Sequence, residues 1–339
     1  MLFFTILLFS VFITSASRLI VSERFEQWCD DFQFKFTESE HSYKVLEKWV
    51  SNDEFIHKFN LQNHTFTLGH NQFSGMDLDD FRLFLSTERS IREKKYIEVD
   101  AGVSLPTEVN WVKAGAVTPV KDQGQCGSCW SFSTTGALEG AYFNKYKILT
   151  SFSEQQLVDC DNLKNGGKNH GCNGGLMDSA FEWISKNNGL CTEAAYPYVS
   201  GVTGASGVCT KTCPLVFASK IGSYVDVKPN SDVDMMNALY KQPVSIAIEA
   251  DQREFQLYKS GVFTAACGAN LDHGVLAVGY GTMSGLDYYM VKNSWSTTWG
   301  DGGYIYLGRG VDPATKQPYN GGAGQCGILM EGSYPVMLV

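Results

Sequence analysis

Apolar positions change their spacing along the chain. Over residues 18–100 they recur at helical intervals, as at Phe55, Ile56 and Phe59, in a stretch without proline that is dense in charge and aromatics. Two or three helices are expected there. Beyond Leu105 glycine becomes frequent, and residues 134–146 (TTGALEGAYFNKY), 153–160 (SEQQLVDC) and 177–189 (MDSAFEWISKNNG) read as helices, the last stopped by Asn188-Gly189. From about Ser219 the period shortens to alternation in residues 243–250, 272–281, 287–295 and 302–310, which predicts strands. Helices followed by strands predict an α+β fold of two packed lobes with a cleft between them. The boundary near residues 98–106 is either an interdomain linker or a processing site. Residues 313–325 read as a long loop, and no internal repeat is present.

Composition narrows the class. With 44% apolar and 19% charged residues over 339 positions, the chain has material for about two domains, which excludes disorder and coiled coil. Twenty-seven Lys+Arg against 36 Asp+Glu give a formal charge of −9, with no basic cluster, so no nucleic-acid partner is expected. Residues 1–17 open with an uncharged apolar run and close on Ser15, Ala16 and Ser17, which reads as a secretory signal peptide. The run from Leu2 to Ile13 is too short for a span, which needs roughly 20 residues, so a soluble protein with no membrane partner is expected. Of the ten cysteines, nine lie beyond residue 100. In an oxidising compartment an odd number leaves one thiol free.

Cys126 and Cys129, in QGQCGSCWSF, stand three apart just ahead of a predicted helix. Three chemistries compete. A redox pair would want a preceding strand in a βαβ unit, and a zinc site would want a second pair or nearby histidines. The third makes Cys126 structural and Cys129 a nucleophile at a helix N-terminus, where the helix dipole stabilises a thiolate. Beyond the boundary only His170 and His273 exist as bases. His170, in a glycine-rich loop, reads as a solvated surface residue. His273 opens an apolar strand, where core packing is the ordinary role, but Asn293 follows with Trp295 beside it and would fix the imidazole tautomer and shield the pair from water.

Cys126-Gly127-Ser128-Cys129-Trp130 is the signature of papain-like cysteine proteases, and with His273 and Asn293 following in order the chain resembles a papain-family cysteine protease precursor of the cathepsin-L-like branch. The resemblance implies a papain-like α+β fold, a helical lobe and an antiparallel β-barrel-like lobe preceded by a helical inhibitory prosegment. The expected division is a signal peptide at 1–17, a propeptide at 18–104 and a peptidase domain at 105–339, mainly helical over about 105–215 and mainly β over about 216–339. Cys129 is then the nucleophile, His273 its proton partner, Asn293 the orienter of His273, and Gln123 the oxyanion-hole glutamine. The implied disulfides are Cys126–Cys172, Cys160–Cys209 and Cys267–Cys326; Cys191 and Cys213 remain and pair by elimination. No metal or cofactor is implied.

The resemblance also implies that Gly174 and Gly175 offer backbone hydrogen bonds to the substrate residue two before the scissile bond. Its pocket would be walled by Leu176, Met177, Ala247, Leu271 and Gly274, with Trp295 also counted among the substrate-binding residues. Leu176 and Met177 would equally serve as ordinary core. Glu331, five residues after Cys326, falls at the pocket floor, so Arg is expected to be accepted there beside Phe or Leu. Residues 24–85 resemble the inhibitory prosegment: Trp49, Asn52, Ile56 and Asn60 keep the helix motif's spacing, while His41 and Val45 replace its Glu and Arg. Glu40 and Lys44 sit one residue early, implying a register slip or a weaker ion network. In the second motif, Gly69, Asn71 and Phe73 are followed by Gly75 where the family usually has Asp, and Asp77 is a substitute. Cys29 has no evident partner. The one sequon, Asn63-His64-Thr65, lies in this segment. The expectation is a monomeric endopeptidase acting on proteins and peptides, inhibited by its own propeptide, in a lysosome or acidic vesicle or secreted. The alternative is a catalytically silent peptide-binding relative.

Overall fold

The computed structural model describes residues 21–36, 39–85, 96 and 104–338. The proposed signal peptide and most of the 98–106 boundary lie outside them. The N-terminal segment builds helix α1 over residues 21–31, α2 (Ser39–Asn60), a short strand β1 (Phe66–Leu68) and α3 (Leu78–Arg82). Val45, Trp49, Asn52 and Ile56, spaced by four, three and four, form the buried stripe of α2. Trp49 and Val45 join Phe25 and Trp28 in a small core of their own. Asp77 caps α3 by accepting from the Asp80 N–H at 3.0 Å, a contact of about 1 kcal/mol.

Beyond residue 104, α4 (Cys129–Tyr146) is the central element, with 14 of its 18 residues buried. It begins five residues before the run that hydrophobic spacing marks out. Ser131, Ser133 and Thr134 interrupt the apolar period but are buried with their hydroxyls satisfied: Ser131 donates to Ser128 O at 2.8 Å, Ser133 to Val275 O at 2.7 Å and Thr134 to Trp130 O at 2.7 Å. Gly136 and Gly140 let the helix lie close to the β lobe, since a Cβ at either would meet Leu276 at 2.7 Å or Pro243 at 2.6 Å. Around α4 stand α5 (Glu154–Cys160), α6 (Met177–Asn187) and α7 (Ser200–Thr203). Asn188 ends α6 in the left-handed region at φ 65°.

The β lobe adds β3 (Ile221–Asp226), β4 (Val244–Ile248), β5 (Tyr258–Phe263), β6 (His273–Met283), β7 (Leu286–Lys292), β8 (Tyr304–Gly308) and β9 (Gly332–Met337). They run in the order β1-β5-β8-β7-β6-β4-β9-β3, with β2 (Val109–Asn110) on β6. Pairing is antiparallel except between β5 and β8. The N-terminal segment thus supplies an edge strand to this sheet. Two helices interrupt the β lobe, α8 (Asp232–Lys241) and α9 (Arg253–Gln256). Residues 313–325 are a loop, but one pinned to the lobe by Asn320, which donates to Gly268 O at 3.0 Å, and by Gln325, which donates to Ala265 O at 2.6 Å. Four disulfides link Cys126 to Cys172, Cys160 to Cys209, Cys191 to Cys213 and Cys267 to Cys326, and Cys29 and Cys129 lie outside them. The longer three close separations of 46, 49 and 59 residues, each worth about 4 kcal/mol on a chain-entropy account.

Candidate active site

Cys126 is spent in its disulfide, which leaves the CxxC spacing without a second thiol and removes the redox-pair and zinc chemistries. Cys129 is the first residue of α4 and is fully buried. Its sulfur therefore sits at the positive end of an 18-residue helix, where a thiolate gains from the dipole. From the β lobe, the Gly274 N–H donates to Cys129 Sγ at 3.3 Å. That contact brings the start of β6, and with it His273, to the sulfur.

His273 is held from two sides. Its Nε2 pairs with Asn293 Oδ1 at 2.8 Å, and its ring stacks on Trp295 with centres 4.4 Å apart and planes 19° from parallel. Asn293 Oδ1 also accepts from the Ser294 N–H at 2.8 Å, which fixes the amide's orientation. With the Asn293 oxygen as acceptor, Nε2 carries the proton and Nδ1 is the basic nitrogen; Nδ1 has no hydrogen-bond partner among the described residues. Burial pulls His273 down to about 4, and the Asn293 hydrogen bond opposes it. In such surroundings an imidazolium persists only beside a compensating anion.

Gln123 is also fully buried. Ser294 Oγ donates to its Oε1 at 2.7 Å, and its backbone N–H donates to Ser294 O at 2.8 Å. Its Nε2 donates to Cys126 O at 3.1 Å and to Phe84 O at 3.2 Å. Phe84 belongs to the N-terminal segment, so a backbone carbonyl of that segment occupies the Gln123 amide. Phe73 and Phe81 pack edge-on against Trp295 at 5.1 and 5.4 Å, and Gln72 Nε2 donates to Trp295 O at 2.6 Å. Farther out, Asn71 Nδ2 donates to Gln256 O at 2.8 Å and Gln256 Nε2 donates back to Phe73 O at 2.9 Å. Arg253 Nε donates to Asn52 Oδ1 at 2.9 Å. The segment is therefore a cover seated directly on the site.

Gly75 has no room for a side chain, because a Cβ would meet Val45 at 2.7 Å and Trp28 at 2.8 Å. Val45 and Gly75 thus meet in an apolar contact. One turn along α2, Lys48 Nζ meets Asp77 at 3.0 Å and also Asp80. Glu40 and Lys44 pair at 2.9 Å on the surface. Asn63 is exposed, as is His170.

Met177, Ala247 and Leu271 are buried in one cluster with Trp130. Gly274 borders it, since a Cβ there would meet Trp130 at 3.2 Å and Met177 Sδ at 3.3 Å. A Cβ on Gly175 would meet Trp130 at 2.8 Å, and half-buried Leu176 donates its N–H to Asn169 Oδ1 at 2.8 Å. Gly174 O accepts from the His170 N–H at 2.9 Å. Met330 packs against the same cluster and escaped sequence reasoning, although its place next to Glu331 was a signal. The Ala247 N–H donates to Glu331 O at 3.2 Å, and Ala247 lies opposite Gly274 across β4 and β6.

Behind Asn293 lies a buried ion network that sequence reading missed. Lys121 Nζ meets Glu139 at 3.0 Å and Glu154 at 2.6 Å, Thr118 Oγ1 donates to Glu139 at 2.6 Å, and Lys292 Nζ donates to Thr118 at 3.1 Å. The two carboxylates hold Lys121 charged, whereas burial pulls Lys292 down to about 8.

Residues 105–336 match the model of the papain family cysteine proteases, and residues 25–81 match the cathepsin propeptide inhibitor domain (I29). The chain is 46% identical over 295 residues to the probable cysteine protease RD21B of Arabidopsis thaliana, covering 86% of this chain and 60% of that protein's length. It is 41% identical over 325 residues to the senescence-specific cysteine protease SAG39 of Oryza sativa subsp. indica, covering 93% and 90%. Among solved structures, a recombinant stem bromelain precursor is similar with a TM-score of 0.84 and 35% identity, over 94% of this chain and 99% of that one.

Proposed function

Because the chain belongs to the papain family of cysteine proteases and carries that family's propeptide inhibitor domain, we propose that it is the zymogen of an endopeptidase working through Cys129, His273, Asn293 and Gln123. One observation carries the reading: a cysteine outside the disulfides at a helix N-terminus, contacted by the backbone of Gly274, with the adjacent His273 oriented by Asn293. Once the cover is removed, Cys129 Sγ attacks the peptide carbonyl carbon as its proton rests on His273 Nδ1. The developing oxyanion takes the hydrogen bonds of Gln123 Nε2 and the Cys129 backbone N–H, each donor worth roughly 3 kcal/mol in comparable hydrolases. The C–N bond breaks, and the amine leaves with the His273 proton. Water, deprotonated by His273, then cleaves the thioester and returns the thiol.

The inhibited state follows from the same geometry, since Phe84 O accepts the Gln123 amide and Trp295 is packed under Phe73 and Phe81. We place the substrate's penultimate side chain among Met177, Leu271, Ala247 and Gly274, with Leu176 and Trp295 at the rim and Glu331 at the floor. A carboxylate there favours Arg as it ionises, beside Phe or Leu. Eight paired cysteines fit an oxidising secretory route to an acidic vesicle or the cell exterior. No described helix is long and apolar enough to cross a membrane. The experiment is acid processing, then hydrolysis of Phe-Arg and Arg-Arg dipeptide reporters by wild type and by Cys129→Ala processed in trans. Activity lost only in the variant supports the endopeptidase. A correctly processed wild type without activity overturns it in favour of a silent peptide-binding relative.

A further inference from the structure

Tyr198 has no part in the chemistry above, yet its hydroxyl reaches both sides of the oxyanion site. It donates to Gln123 O at 2.8 Å and lies 2.7 Å from Ser128 Oγ. A phenol has one proton, so with that proton on Gln123 O the serine hydroxyl must donate to the tyrosine oxygen. The competing acceptor for Ser128, Cys126 O, is farther away at 3.4 Å. Burial pushes the Tyr198 hydroxyl well above its usual range, so it keeps this proton through the working pH of a protease.

The tyrosine is itself fixed. Its ring stands edge-on to Phe132 with centres 4.9 Å apart, and its backbone N–H donates to Glu193 Oε1 at 2.8 Å. The turn that follows lies along the Gln123 loop at close range. Gln125 N donates to Gly201 O at 2.9 Å, and a Cβ on Gly124, whose φ is +54°, would meet that oxygen at 2.5 Å. Ser294 secures the Gln123 side chain from the β lobe. Tyr198 joins the Gln123 backbone to Ser128, the residue before the nucleophile.

We propose that Tyr198 is a positioning residue for the oxyanion hole, its hydroxyl setting the separation between the Gln123 amide and the Cys129 backbone N–H. The inference rests on the proposed roles of Gln123 and Cys129. It is tested in processed wild type, Tyr198→Phe and Gln123→Ala by kcat, KM and the rate of Cys129 reaction with 2,2′-dipyridyl disulfide. In that last reaction the thiolate displaces thiopyridone from sulfur, so no oxyanion forms.

Tyr198→Phe is expected to lower kcat about 10-fold with KM within about twofold, against about 100-fold for Gln123→Ala. The disulfide reaction should be unchanged in both. A normal kcat in Tyr198→Phe beside an impaired Gln123→Ala would overturn the positioning role and leave the oxyanion assignment standing. A normal kcat in both would overturn the two together. An equal fall in kcat and in the disulfide reaction would locate the damage at the thiol and also overturn it. If Tyr198→Phe does not fold, Ser128→Ala removes the other partner of the hydroxyl. A fall of about threefold in its kcat alone is expected, and a wild-type kcat there overturns the proposal.

Discussion

Truncating Phe73 should unseat the cover, and the size of the effect follows from its packing. The side chain is 4% exposed, with its ring centre 5.2 Å from Phe81, 5.3 Å from Phe84 and 5.1 Å from Trp295. Phe→Ala at such a position costs about 3–5 kcal/mol, and the loss falls on the seated state because Trp295 and Phe73 part when the segment lifts. At 1.4 kcal/mol per tenfold, the open population rises about 150- to 4,000-fold. Reagent reaches buried Cys129 only through that opening, so its labelling rate should rise by the same factor up to the rate of the processed enzyme. The assay is labelling of the zymogen at neutral pH by a thiol-reactive disulfide, with mass spectrometry locating the label. Cys29 is replaced by Ser, since it is the other cysteine outside the disulfides. A rise below about tenfold would refute the claim that this aromatic cluster keeps the site closed.

Other outcomes follow from the same geometry. Burial raises Asp161 to about 7, against the hydrogen bond from Asn169, and raises Asp272 to about 7 against that from Ala250 N–H. Both bind protons in the folded state that the unfolded chain has released, so their stabilisation is complete below about pH 4 and is lost as pH rises to about 7, by at most about 1.4 kcal/mol per unit for each group. Thermal unfolding of thiol-blocked processed enzyme should show that slope, and Asp161→Asn should flatten it; an unaltered slope contradicts the assignment. Glu139→Ala, which leaves Lys121 to Glu154 alone and strands the Phe152 N–H, should cost about 1–3 kcal/mol in urea unfolding. A loss under about 1 kcal/mol would mean that the network is solvated. Glu331→Ala should lower Arg-Arg cleavage relative to Phe-Arg by about 10-fold or more, and an unchanged ratio sinks its place at the pocket floor.

Much of the fold was legible because buried periodicity survives in the sequence. Strands β4, β6, β7 and β8 stand where alternation marks them, and α5 and α6 start and stop near their caps. The start of α4 was not, because its first turns bury hydroxyls whose partners are remote carbonyls such as Val275 O. Helix α8 was passed over although Ser231 caps it by accepting from the Asp234 N–H at 3.2 Å. Strand β1 has three residues and draws its register from β5, far away in sequence. At the site, Cys129, His273 and Asn293 announced themselves by residue type and order. The Phe84 carbonyl on Gln123 and the Tyr198 brace did not, since backbone acceptors and a lone tyrosine carry no pattern. Val45 and Gly75, each a departure in the sequence, become one fact in the structure, where the small residue makes room for the branched one.

Cys129 is expected to carry the covalent intermediate. Processed enzyme mixed with an activated ester of a blocked amino acid, quenched in acid within milliseconds and digested, should show the acyl mass as a thioester on the peptide containing Cys129. Ester turnover with no acyl group on that peptide would contradict the account.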